Sequence, residues 1–156
     1  MLALGSDHVG VALKKRIMDY LAEKGIAYRD FGAFEGETGD YPVYGYKAAK
    51  AVADGDCERG ILVCGTGVGI SMAANKVRGI RCVVCSEPYS AVLSRQHNDS
   101  NMLSLGARVV GSELAIMIVD GWLTAEFMGE RHARRVDMIT AIEAAQCEGG
   151  EVDFAK

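Results

Sequence analysis

The sequence predicts an α/β fold: a three-layer α/β/α Rossmann-like sandwich around an open parallel sheet of five strands. Three observations carry this. Five short apolar runs suit buried strands, segments of helical periodicity separate them, and one strand passes into a helix through a glycine-rich turn, ILVCGTGVGISMAANK at 61–76. Right-handed crossovers place the strand-to-helix turns on one edge of such a sheet, where ligands bind. Asp7 and His8 after the first strand, Cys64 to Gly69 after the third, and the turn after the fourth are expected to face one crevice.

The elements follow in order. Leu2 to Leu4 is a strand that runs into Gly5–Gly10. Val11 to Lys24 is a helix with Leu13, Ile17 and Leu21 on one face, and Gly25 ends it. Ala27 to Phe31 is the second strand, followed by a polar loop over 32–40 to which no role is assigned. Asp40 can cap a helix with Pro42 in its first turn, ending near Asp54. The glycine-rich stretch supplies the third strand and helix, and Ile80 to Cys85 the fourth strand. Pro88 opens a helix that ends near His97 and Asn98, Met102 to Leu105 is the fifth strand, and Ser112 to Phe127 is a helix. The last helix, Arg131 to Gln146, places Val136, Ile139 and Ile142 on a buried face. Residues 1–146 form one domain and 147–156 a loose tail.

At 156 residues, 49% of them apolar, the chain buries a sound core without staples. A formal charge of -4 argues against nucleic acid or an anionic membrane as the main partner. No signal peptide is evident, and no run approaches the ~20 apolar residues of a membrane span, so a cytoplasmic protein is expected. Five cysteines, an odd number, fit free thiols in a reducing compartment. Cys82 and Cys85 form a CxxC, but in a strand residues three apart point to opposite faces, which disfavours a redox or zinc role.

Gly65, Gly67 and Gly69 alternate through the central turn, where backbone N–H groups and a helix dipole hold an anion. Cys64 immediately precedes it, and the amides would stabilise its thiolate. The nucleotide loop GxxxxGK is absent. The dinucleotide fingerprint lacks glycine at Ile70, although Glu87 could mimic its ribose-binding acid, and a purely packing turn stays open. His8 beside Asp7 could bind sugar hydroxyls, assist proton transfer, or form a surface pair. His97 beside Asn98 could serve as a general acid near neutral pH or as a helix cap. Arg131 and Arg135 share a helical face that suits a phosphate, with Arg108 as a third cation; a solvated charge run is the alternative. A thiol base, an amide-lined anion hole, a histidine acid and a phosphate clamp together suit enolisation of a phosphorylated sugar without a cofactor. A nucleotide-binding module and a non-catalytic sugar-phosphate sensor are the readings from other classes.

The segments GSDHVGVALK, DYP, CGTGVGISMAANKVRGIRCVVCSEPYSAVLSRQHNDSN, LGARVVG and RHARRV resemble, in order and over about residues 1–146, the ribose-5-phosphate isomerase B family. That family also contains allose-6-phosphate isomerase and the subunits of galactose-6-phosphate isomerase. The resemblance implies a homodimer or dimer of dimers acting on a sugar phosphate, ribose 5-phosphate by default, with no metal or nucleotide cofactor; allose 6-phosphate, galactose 6-phosphate and erythrose 4-phosphate are the alternative substrates. It implies Cys64 as the base between C1 and C2 and His97 as the ring-opening acid, helped by Asp7 and Thr66. The amides of Gly65, Thr66, Gly67, Val68 and Gly69, with the Asn98 side chain, would stabilise the enediolate. His8, Arg108, Arg131 and Arg135 would bind the phosphate, some across the subunit boundary. A second branch carries its base as glutamate at the place of Ile70, so this chain resembles the cysteine branch. Apart from the resemblance, the all-round apolar run Leu114–Val119 suits either a subunit contact or an interior helix.

Overall fold

The computed structural model describes residues 1–149. The chain forms β1 (Leu2–Ser6), a 3-10 turn (His8–Gly10), α1 (Val11–Glu23), β2 (Tyr28–Asp30), α2 (Tyr41–Ala53), β3 (Arg59–Cys64) and α3 (Val68–Ala74). It continues with β4 (Cys82–Val84), α4 (Pro88–Asn98), β5 (Met102–Gly106), α5 (Ser112–Thr124) and α6 (Arg131–Glu148). The five strands make one parallel sheet in the order β2-β1-β3-β5-β4. The expected fold class is the observed one.

Strands β1, β3 and β5 are buried along nearly their whole length, which is why their sequences are apolar runs without alternation. On one face Leu13, Ile17 and Leu21 of α1, Ala91 of α4 and Ile118, Val119 and Trp122 of α5 pack on Leu4, Ile61 and Leu103. On the other, Ala48, Ala49 and Val52 of α2 and Ile70 and Ala74 of α3 pack on Ala3, Leu62 and Met102. Each large aliphatic side chain wholly removed from water contributes roughly 1.5–3 kcal/mol to this two-sided core. Cys82 and Cys85 fall in different clusters, on opposite faces as expected. Burial pushes the Cys82 thiol up to about 12 and that of Cys85 to about 11, so both are protonated packing groups.

Four expectations need correction. Asp40 sits at the N-cap of α2 but its carboxylate makes no capping bond there. Helix α5 stops at Thr124 rather than Phe127, because the chain turns extended at Ala125 and the Met128 N–H is taken by the Gln96 carbonyl of α4. Helix α6 runs two residues beyond Gln146, to Glu148; the tail from residue 150 lies outside the described residues. Of its predicted buried face only Val136 is covered, whereas Ile139 and Ile142 are exposed. The physical reason is placement: α6 packs on α4 and reaches Gly79, whose N–H donates to Glu143, instead of lying on a sheet face. In α5 the apolar run buries Ala115, Ile118 and Val119 and leaves Leu114 and Met117 at the surface, so it is not an interior helix. Among the described residues no helix is long and apolar enough to cross a membrane.

Candidate active site

The chain leaves β1 for β2 on one side and enters β3 on the other, so the carboxyl ends of β1 and β3 flank the point where strand order reverses, the place at which open parallel sheets bind ligands. Asp7 immediately follows the first of these strands. Its carboxylate accepts the Gly10 N–H at 3.0 Å and fixes the 3-10 turn that carries the exposed His8. Cys64 ends the second, almost wholly buried, and its Sγ accepts the Gly67 N–H at 3.1 Å. Gly67 has φ +79, and a Cβ there would stand 2.9 Å from the Leu105 backbone; only glycine lets the loop lie this close to β5. Ser104 Oγ donates to the Gly67 carbonyl at 2.6 Å and locks that approach. Thr66 Oγ1 accepts the Val68 N–H at 3.3 Å, which leaves the loop backbone fixed with Thr66 and Val68 open to solvent.

Arg108 completes this edge. Its N–H donates to the Gly65 carbonyl at 3.0 Å, the preceding Ala107 N–H donates to the Cys64 carbonyl, and its guanidinium lies beside Gly65. The turn after β5 is therefore the neighbour of the glycine loop. The turn after β4 is not, because β5 stands between β3 and β4. Glu87, at that outer turn, has a different use: its carboxylate accepts the Ser90 N–H and caps α4, and these bonds hold it below its ordinary pKa. The dinucleotide reading thereby loses its ribose-binding acid.

The remaining predicted residues assemble elsewhere. Strands β4 and β5 are parallel, so α4 returns from the carboxyl edge to the amino edge, where His97 and Asn98 close it just before Met102 begins β5. Cys64, by contrast, pairs with Gly106 at the far end of β5. With ~3.3 Å of rise per residue along that strand, roughly 13 Å or more separates the two groups within one chain. Arg131 and Arg135, both exposed, begin α6 at the same amino edge and make no ion pair with a described residue. Asp7, His8, Cys64–Gly69 and Arg108 thus share one edge, and His97, Asn98, Arg131 and Arg135 share the opposite one.

Two site neighbours have no role assigned from the sequence: His132, which stands there only as the residue flanked by Arg131, Arg134 and Arg135, and Tyr41. His132 is buried, and its ring stacks on His97 with centroids 4.2 Å apart and planes within 3°. Arg131 Nε donates to His132 Nε2 at 3.4 Å, a bond that needs the neutral imidazole. Desolvation, then His97, Arg131 and Arg135, hold His132 below its ordinary 6.5. A depressed pKa favours the neutral form in the fold, so this contribution is present above about pH 6.5 and is lost as pH falls through the lowered value. Wild type should lose more melting temperature between pH 7.5 and 5.5 than His132→Phe, which keeps a stacking ring without a titrating nitrogen; equal losses would refute the assignment. The second neighbour is Tyr41, whose ring covers Gly69 so closely that a Cβ there would lie 2.7 Å from it. The DYP segment was the only sequence trace of this contact.

The comparisons agree with the geometry. The model of the Ribose/Galactose Isomerase family matches residues 2–139. Ribose-5-phosphate isomerase B of Escherichia coli is 60% identical over 142 residues, spanning 91% of this chain and 95% of that protein. The structure of ribose-5-phosphate isomerase B from Clostridium thermocellum superposes with a TM-score of 0.90 at 55% identity, covering 92% of this chain and 97% of that one. That of Mycoplasma genitalium ribose-5-phosphate isomerase B with bound ribulose-5-phosphate does so with a TM-score of 0.86 at 41% identity, covering 92% and 95%. With the sheet order, the thiol at the glycine loop and these matches in agreement, the chain belongs to the ribose/galactose isomerase family.

Proposed function

We propose that the protein interconverts D-ribose 5-phosphate and D-ribulose 5-phosphate through an enediolate, without a cofactor, as a cytoplasmic homodimer or dimer of dimers whose sites are shared between subunits. Residues 1–146, with the end of α6 that carries on to Glu148, are its single isomerase domain. The observation that carries this reading is the Cys64 thiol, buried at the mouth of the amide loop with the Gly67 N–H on its sulfur. His97 opens the furanose ring, Asp7 and Thr66 assisting. Cys64 then takes the proton from C2 and returns it at C1 while the hydroxyl proton of O2 passes to O1, so the carbonyl moves from C1 to C2. Charge that develops on the C1 and C2 oxygens meets the backbone amides of Gly65, Thr66, Gly67, Val68 and Gly69 and the Asn98 side chain, donors already held in place before the reaction. His8, Arg108, Arg131 and Arg135 hold the phosphate, whose double charge suits several cations converging from different elements.

The separation of the two edges supports a shared site: His97, Asn98, Arg131 and Arg135 come from the partner subunit to the Cys64 edge. The ribulose-5-phosphate in the Mycoplasma genitalium structure supports the choice of a pentose phosphate. Purified protein should isomerise ribose 5-phosphate in the presence of a chelator with kcat/KM at least about tenfold above that for allose 6-phosphate, galactose 6-phosphate or erythrose 4-phosphate. A preference for one of the others would replace the substrate and keep the mechanism. Binding without turnover on all four would leave a sensor.

A further inference from the structure

His97 and Asn98 are the last two residues of α4, and helix ends fray unless something holds their free carbonyls. What holds this end is Asp99. It adopts φ +47 and ψ +46, the left-handed region that glycine enters freely and that any residue with a Cβ enters at a cost, smallest for asparagine and aspartate. Both of its carboxylate oxygens are occupied: Arg95 donates to Oδ1 at 2.7 Å and Arg81 to Oδ2 at 2.9 Å. Arg81 also donates to the backbone carbonyls of Asp99 at 2.8 Å and Asn98 at 3.1 Å. Arg81 is itself seated against the sheet, since its N–H donates to Asn101 Oδ1 and its carbonyl accepts from Asn101 and Met102. On the far side Ser100 is wholly buried and takes the Trp122 indole N–H at 2.9 Å.

Stability alone does not account for this arrangement. Glycine would end the helix in the same conformation without strain, and a carboxylate about a third exposed gains little net stability from its ion pairs. A left-handed residue over-determined by its surroundings, next to Asn98 and two residues from His97, points instead to aim. We infer that Asp99, clamped between Arg81 and Arg95, is a positioning residue that fixes the end of α4 so that His97 and Asn98 project toward a bound sugar phosphate; this rests on the isomerase reading of the site.

The test compares wild type, Asp99→Asn and Asp99→Gly. Both variants tolerate the left-handed backbone. Asparagine keeps a side-chain oxygen for one arginine, while glycine removes the clamp and relieves the strain. With ribose 5-phosphate, Asp99→Gly should lose tenfold or more in kcat with KM changed less than about twofold, since Arg131 and Arg135 stand on α6, and its melting temperature should stay within a few degrees of wild type. Asp99→Asn should recover most of that loss. The Hε1 proton resonance of His97, shifted by the ring current of the stacked His132, should move in Asp99→Gly and stay near its wild-type position in Asp99→Asn, a readout independent of turnover. Unchanged kcat and an unmoved resonance in Asp99→Gly would overturn the proposal, as would a fall in kcat that only tracks a fall in melting temperature. Wild type without isomerase turnover would instead overturn the functional reading, and the His97 resonance would still report whether the clamp aims that ring.

Discussion

Cys64→Ala should abolish isomerisation, with kcat reduced by about 10³-fold or more while the fold survives. A positioned acid or base contributes typically ~10²–10⁴-fold to rate, and in this site the thiol has no stand-in. Of the other polar side chains on the carboxyl edge, Thr66 has its Oγ1 engaged with the Val68 N–H, and Asp7 has its Oδ1 engaged with Gly10. Cys64→Ser, nearly isosteric, should not restore activity, because an alcohol is too weak an acid to cycle through its anion near neutral pH. The structural cost is small: the substitution removes one sulfur, leaves the apolar packing of β3 in place and frees the Gly67 N–H, so a loss of about 1 kcal/mol is expected. Turnover, melting temperature and exchange of the substrate C2 hydrogen into deuterated water should be read together. Loss of turnover with exchange retained would move the base to another residue; loss of both with an intact fold assigns it to Cys64.

How much of this was legible without coordinates depended on whether a property is local. The β3–α3 unit could be read because each part is local: a short apolar run, a left-handed glycine, and a thiol at the junction. The helix starts at Pro42 and Pro88 and the ends at Gly25 and Gly55 were legible for the same reason. Strand order was not. That β5 lies between β3 and β4 follows from packing along the whole sheet, and it sends the turn after β4 away from the crevice while bringing Arg108 into it. The direction of α6 was equally hidden, since Val136, Ile139 and Ile142 have the spacing of a buried stripe and only the seat across α4 leaves two of them uncovered. Glu87 fitted a ribose-binding acid by its distance from the glycine loop, yet three residues later it found a free N–H to cap, a competing local use that pattern reading does not weigh. Neither the stack of His97 on His132 nor the contact of Tyr41 with Gly69 has any sequence periodicity to announce it.

Mixing two inactive variants should restore activity. On the proposed assignment Cys64→Ala would lack the base and His97→Ala the acid, and each homodimer would carry the same lesion in both of its sites. If His97 acts on the Cys64 edge of the partner subunit, a hybrid dimer concentrates both lesions in one site and leaves the other whole. Random exchange of equal amounts makes half the dimers hybrid, each with one working site of two, so about a quarter of wild-type specific activity should return. Action within one chain predicts the opposite, because every site in the hybrid then retains one lesion and no activity appears. The distinction is sharp because β5 has its amino end at the α4 terminus and its carboxyl end beside Cys64, with its own buried side chains filling the space between them. No rotamer of His97 spans that strand, and unwinding α4 to shorten the distance would break the bonds of Arg81 and Arg95 to Asp99 and expose Ser100. In the proposed dimer a second copy would bring the two edges together without disturbing either one, and the exposed Arg131 and Arg135, carried at the same amino edge as His97, would arrive with it.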